Sequence, residues 1–108
     1  MVSNDGSYYV AYTPSPDPIP LNQMFQLLVW VSPAADRTRV LSDVRLQAGA
    51  AMPEHDHGMN TRPKVGANAD GSFVVGGMLF HMPGHWELYL DVTRAGITER
   101  AQVDVQLE

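Results

Sequence analysis

Two neighbouring segments alternate apolar and polar residues with period two: Trp86-x-Leu88-x-Leu90-x-Val92 and Ala101-x-Val103-x-Val105-x-Leu107. Side chains on a strand point to opposite faces in turn, so each segment reads as a strand with one dry face and one wet face. Arg94-Ala95-Gly96 between them supplies a turn. No segment keeps an amphipathic helical period for three turns. A chain built this way must pack sheet against sheet.

The remaining segments follow the same rule. Ser7–Tyr12 is expected as a first strand, followed by Thr13–Pro20, whose four prolines forbid a central strand and give a stiff, extended connection. Met24–Val31 is almost continuously apolar and reads as a strand buried on both sides, with Met24 in the core. Val40-x-x-x-Val44-x-Leu46 predicts a third strand running towards Ala50, and Pro63–Asn68 a short fourth. Asn68-Ala69-Asp70-Gly71-Ser72 is a hairpin signal. With Asp70-Gly71 at its centre, opposed positions would sum to 141, setting Thr61 against Phe80 and Met59 against Met82. Ser72–Phe80 is the fifth strand, where Gly76-Gly77 suggests a bulge that would slip this register by about one residue. The expected fold is therefore all-β, a seven-stranded Greek-key β-sandwich of immunoglobulin-like type. Residues 1–6 form a polar tail and residues 7–108 one domain. Trp30 and Trp86 fall on predicted inward faces, and Met78 reads as core.

Composition excludes several function classes. Twelve acidic against seven scattered basic side chains give a net charge of −5, so the basic stripe that a nucleic-acid binder needs is missing. The longest apolar run, Leu27–Val31, is strand-sized, which leaves no membrane span in the sequence. Without cysteine there is no disulfide, thiolate zinc site, iron–sulfur cluster or blue-copper thiolate. No Gly-x-Ser-x-Gly elbow, phosphate loop or dinucleotide fingerprint occurs. The residues at the N-terminus show no charged stretch followed by an apolar one, so they do not read as a signal peptide.

Chemistry concentrates in two short stretches. All four histidines and four of the six methionines lie in Met52-Pro53-Glu54-His55-Asp56-His57-Gly58-Met59 and Met78-Leu79-Phe80-His81-Met82-Pro83-Gly84-His85. Imidazole binds Cu(I), Cu(II) and Zn(II), whereas the soft thioether favours Cu(I). A mixed His/Met set without cysteine therefore points to copper, with zinc as a second candidate. In an extended segment His55, His57 and Met59 would share one side, and the Pro83-Gly84 turn can bring His81 and His85 together. The two stretches occupy connections at one end of an antiparallel sandwich. The candidate ligands are Met52, His55, His57, Met59, His81, Met82 and His85. Glu54 and Asp56 are candidates for hard ligands, partners of an imidazole, or solvated surface charges. Taken singly, each motif also has a plain reading as a solvated loop, a turn cap or core filling.

These residues resemble the FixH/YtkA-like family of small bacterial envelope domains, over roughly Met24 to Val105. The likeness is sharpest in Met52-Pro53-x-His55-x-His57-Gly58-Met59, Asp70-Gly71-Ser72-Phe73 and Phe80-His81-Met82-Pro83-Gly84-His85-Trp86-Glu87-Leu88. Met52, His57, Met59 and Met82 match the family-like pattern, and His81 and His85 are additional to it. The resemblance implies an immunoglobulin-like domain facing the periplasm or cell exterior. It also implies copper handling, with a copper-receiving envelope protein or oxidase-assembly factor as partner. The transmembrane helix of FixH proteins has no counterpart here. The leading expectation is a soluble envelope copper carrier, chaperone or buffer. A metal-free interaction or structural module comes second. A copper or zinc enzyme, with Glu54 or Asp56 as base, comes last because methionine-rich ligation suits holding Cu(I) better than activating water.

Overall fold

A computed structural model describes residues 1–108. It contains eight strands and no helix: β1 (Tyr8–Ser15), β2 (Phe25–Pro33), β3 (Arg45–Met52), β4 (His57–Gly58), β5 (Lys64–Ala67), β6 (Phe73–Met78), β7 (Gly84–Arg94) and β8 (Ile97–Leu107). They form two four-stranded antiparallel sheets, ordered β1-β2-β6-β5 and β4-β3-β7-β8. The two C-terminal alternations become β7 and β8, joined through eleven residue pairs from Gly84↔Leu107 to Arg94↔Ile97. The strand absent from the sequence expectation is β4. It has two residues, pairing Met52↔His57 and Ala51↔Gly58, too few for any periodicity to register.

Twenty buried apolar residues fill the space between the sheets. Trp86, Leu88, Leu90 and Val92 project inward from β7, as alternation requires, and meet Leu27, Val29, Val31 and Val75 from the other sheet. Met78 is fully buried. Val103 and Val105 are partly buried against this core. The sandwich has only two layers, so even central β2 has a single dry face. Phe25, Leu27, Val29 and Val31 take it, while Leu28 and Trp30 lie on the outer face and stay half-exposed. Trp30 is thus not an inward residue. Nor is Met24 core; it precedes the strand and is 54% exposed.

The Asp70-Gly71 hairpin has a three-residue loop in place of the expected two. The Asn68 amide donates to the Ser72 carbonyl and Gly71 takes φ 90°, so the β5–β6 pairs sum to 140, as in Val65↔Val75. The ladder stops at Lys64↔Gly76. Gly77, at φ 76°, turns its carbonyl to the Thr61 hydroxyl, which donates to it at 2.6 Å. Met59 and Met82 are consequently not ladder partners, and the upstream stretch crosses to the other sheet as β4. Pro14 sits in β1, opposite Leu27, which is tolerated because β1 is an edge strand. Residues 1–4, expected as a tail, bond along the sheet margins: Val2 bridges Tyr9, and the Asn4 amide donates to the Arg100 carbonyl.

Candidate metal centre

The first histidine-bearing stretch is a tight β3–β4 hairpin. The His55 amide donates to the Met52 carbonyl at 3.1 Å and Asp56 adopts φ 51°, so residues 53–56 turn and do not extend. This removes the shared side expected for His55, His57 and Met59. His55 is carried on the turn, whereas His57 is opposite Met52 in the ladder. Paired residues project to the same face. Met52 faces the core and is fully buried, and His57 therefore leans over the end of that core. Met59 is partly buried against it.

The second stretch leaves β6 through Leu79 and Phe80 and enters β7 at Gly84. Phe80 stacks on Trp86, with ring centroids 4.6 Å apart and planes 4° apart, and Phe25 meets Phe80 edge-on. The Trp86 indole N–H donates to the Met82 carbonyl at 3.0 Å, tying the Met82-Pro83-Gly84 turn to the core. Trp86 thus forms an aromatic floor. His81 lies 5.5 Å from it and His57 6.3 Å, both edge-on to the indole. The rings of His57 and His81 are 5.5 Å apart, and those of His55 and His57 are 6.0 Å apart. Residues 24 positions apart in sequence therefore meet at one end of the sandwich. The meeting is made by β4 joining β3, not by the hairpin ladder.

Donor chemistry distinguishes these histidines. Nδ1 of His81 is buried and has no hydrogen-bond partner, the one side-chain nitrogen or oxygen of the molecule in that position. A buried imidazole nitrogen normally finds a partner, because leaving it bare forfeits its hydration. Nδ1 of His57 makes only a 3.3 Å contact with the neighbouring Gly58 carbonyl. Met82 is 37% exposed. No group of three or more His, Asp or Glu side chains is arranged to hold a metal ion.

His85 is placed differently from the other three. It projects from the outer face of β7, where Nδ1 lies 2.8 Å from Glu54 Oε1 and Nε2 lies 2.9 Å from Asp104 Oδ1. Both nitrogens face carboxylates, so both carry protons and the ring is an imidazolium. The bonds to Asp104 and then Glu54 push its pKa up to about 8. The His85 bond in turn holds the Glu54 carboxyl below the usual range. His85 is therefore a clip between the β3–β4 turn and β8, with neither nitrogen free for a metal. Met52 is not at the surface either. Its Cε sits 2.9 Å from where a Cβ on Gly84 would stand, so it joins the two stretches from beneath.

Spacing alone makes His85 and Met52 candidates equal to the others; it does not distinguish an imidazole paired with two carboxylates, or a buried thioether, from a donor with a free atom. The clip's third member, Asp104, was not singled out. Its only signal is cross-strand: His85 faces Gln106, and Asp104 is that residue's neighbour on the same face. Comparison with family models, with curated proteins and with solved structures found no match.

Proposed function

We propose that this chain is a copper-binding protein that carries or buffers the ion, with His57 and His81 as central ligands. One observation carries the reading: a buried, partnerless imidazole nitrogen on His81 beside a second, weakly bonded imidazole. His55 supplies a third imidazole on the exposed turn, and Met82 and Met59 are the soft donors that favour Cu(I). The rings stand apart, so binding proceeds with side-chain rotation on a backbone held by the His85 clip and the Trp86 floor. Glu54, expected as one candidate base, is occupied by His85. That favours a carrier over an enzyme. The FixH/YtkA resemblance supports the same cargo, an envelope location and a copper-receiving partner. The two-sheet architecture accords with an immunoglobulin-like Greek key carrying β4 as an extra strand.

The test is a competition titration of the metal-free protein with Cu(I), Cu(II) and Zn(II). His57→Ala and His81→Ala should each weaken copper binding by about tenfold or more, consistent with losing one of few ligands. His85→Gln should weaken it far less. Met82→Ala should affect Cu(I) more than Cu(II). Unchanged affinities in both His57→Ala and His81→Ala would leave a metal-free interaction module as the better reading.

A further inference from the structure

We infer that Trp86 sets which oxidation state of copper the site prefers, favouring Cu(I) and denying Cu(II) the water it needs. The inference deepens the copper reading of His57 and His81 and rests on it. Trp86 is the largest side chain of the core and has no exposed surface. Alternation along β7 turns it inward, beside Val105 of β8. Phe80, itself fully buried, stacks on it at 4.6 Å, and its N–H is spent on the Met82 carbonyl. Both candidate imidazoles also meet this ring.

The three rings define a compact space. Centroids of His57 and His81 lie 5.5 Å apart, His81 lies 5.5 Å from the indole, and His57 6.3 Å. The midpoint between the two imidazoles therefore falls about 5 Å from the indole centroid, inside the roughly 6 Å over which an aromatic ring attracts a cation. The imidazole planes stand at 87° and 74° to the indole, so neither ring lies flat between it and that midpoint.

The two copper ions differ in what they ask of such a space. Cu(I) is soft and is satisfied by a few imidazole and thioether donors, whereas Cu(II) favours a tetragonal set of nitrogen and oxygen ligands. With two imidazoles converging, Cu(II) must complete that set with water. On the Trp86 side water has no access, because the indole and the Phe80 behind it are fully buried. Nδ1 of His81 is buried as well, so an ion that binds it must shed water to do so. Attraction to the indole grows when the cation is desolvated. One ring thus favours the monovalent ion and penalises the divalent one.

The test isolates the indole. Trp30 is the other tryptophan of the chain and is half-exposed on the outer face of β2, so Trp30→Phe leaves Trp86 as the sole indole emitter. That protein is titrated without oxygen with Cu(I) and with Ag(I), a soft monovalent ion that resists oxidation. Competition affinities for Cu(I) and Cu(II) are measured alongside. Trp86 emission should fall by at least about half on loading with either monovalent ion, as expected of an ion in contact with an aromatic ring. Trp86→Phe keeps a ring against Phe80 and should lower the ratio of Cu(I) to Cu(II) affinity by about tenfold. It also removes the bond to the Met82 carbonyl, so the comparison is repeated with Met82→Ala, where the ratio should fall by a similar factor. The emission response does not depend on how the phenylalanine variant folds. Unchanged emission while competition shows Cu(I) bound would overturn the inference. So would a ratio shift that disappears with Met82→Ala, which would leave Trp86 as a support for Met82 alone. Failure of the copper reading is a separate result: the unaltered protein would then compete for neither Cu(I) nor Ag(I), and both conclusions would fall.

Discussion

At the scale of single residues, His85 shows how environment divides side chains that composition treats alike. Folding favours its protonated form, so its contribution to stability is complete below its ordinary pKa of 6.5 and fades as pH rises through about 8. Glu54, held low, contributes above its ordinary 4.5 and loses its part as acid drives pH down through its lowered folded value. The clip therefore spans neutral pH and opens on either side. Proton NMR should show one histidine titrating near pH 8, and Asp104→Asn should move that midpoint back towards 6.5 more than Glu54→Gln does, because the Asp104 bond is the larger cause. A His85 midpoint unmoved by either substitution would mean that the clip does not form in solution. Sequence could locate all four histidines at one end, since both stretches that carry them read as connections between strands. It could not sort them, because burial of His81 Nδ1 and the pairing of both His85 nitrogens depend on β4, Trp86 and Asp104 meeting in space.

At the scale of elements, periodicity was a good guide wherever one face is dry and poor wherever a strand is short. β7 and β8 are evident from alternation alone, because each buries every second residue against the same core. β2 misled, since its outer face carries Leu28 and Trp30 without a third layer to bury them. β4 left no signal, though it decides where His57 points. Gly76-Gly77 is a case where the sequence marked an irregularity whose cause only the backbone shows. A Cβ on Gly76 would meet nothing within 4 Å, whereas one on Gly77 would stand 2.8 Å from the Arg62 carbonyl oxygen at a φ of 76°. A backbone atom cannot rotate aside as a side chain can. Gly77→Ala should cost about 1–3 kcal/mol in urea unfolding, through left-handed strain plus this collision, while Gly76→Ala should be neutral or slightly stabilising. Equal effects at the two positions would place the bulge elsewhere.

At the scale of the whole molecule, the chain separates its core from its candidate ligands. The core lies between the sheets, with a radius of gyration of 13.5 Å for the chain, close to the roughly 13 Å expected of a folded domain this size. The candidate ligands lie on two connections and one two-residue strand at its end. An ion that binds only the folded form stabilises it by RT ln(1 + [L]/Kd), about 2.7 kcal/mol at a hundredfold excess over Kd. For a domain of about 100 residues, each kcal/mol is worth roughly 4 °C, so copper should raise the melting temperature by about 10 °C. His57→Ala and His81→Ala should remove that rise and leave the metal-free melting temperature nearly unchanged, because neither ring fills the core. Acidification from about pH 7 to about pH 5 should shrink the copper-dependent rise, because an imidazole nitrogen must be unprotonated to hold a metal. The metal-free protein should lose little over that interval, since the His85 clip stays closed there. A copper effect that persists undiminished at pH 5, or in both alanine variants together, would place the metal on carboxylates or on the exposed surface and not above the Trp86 floor.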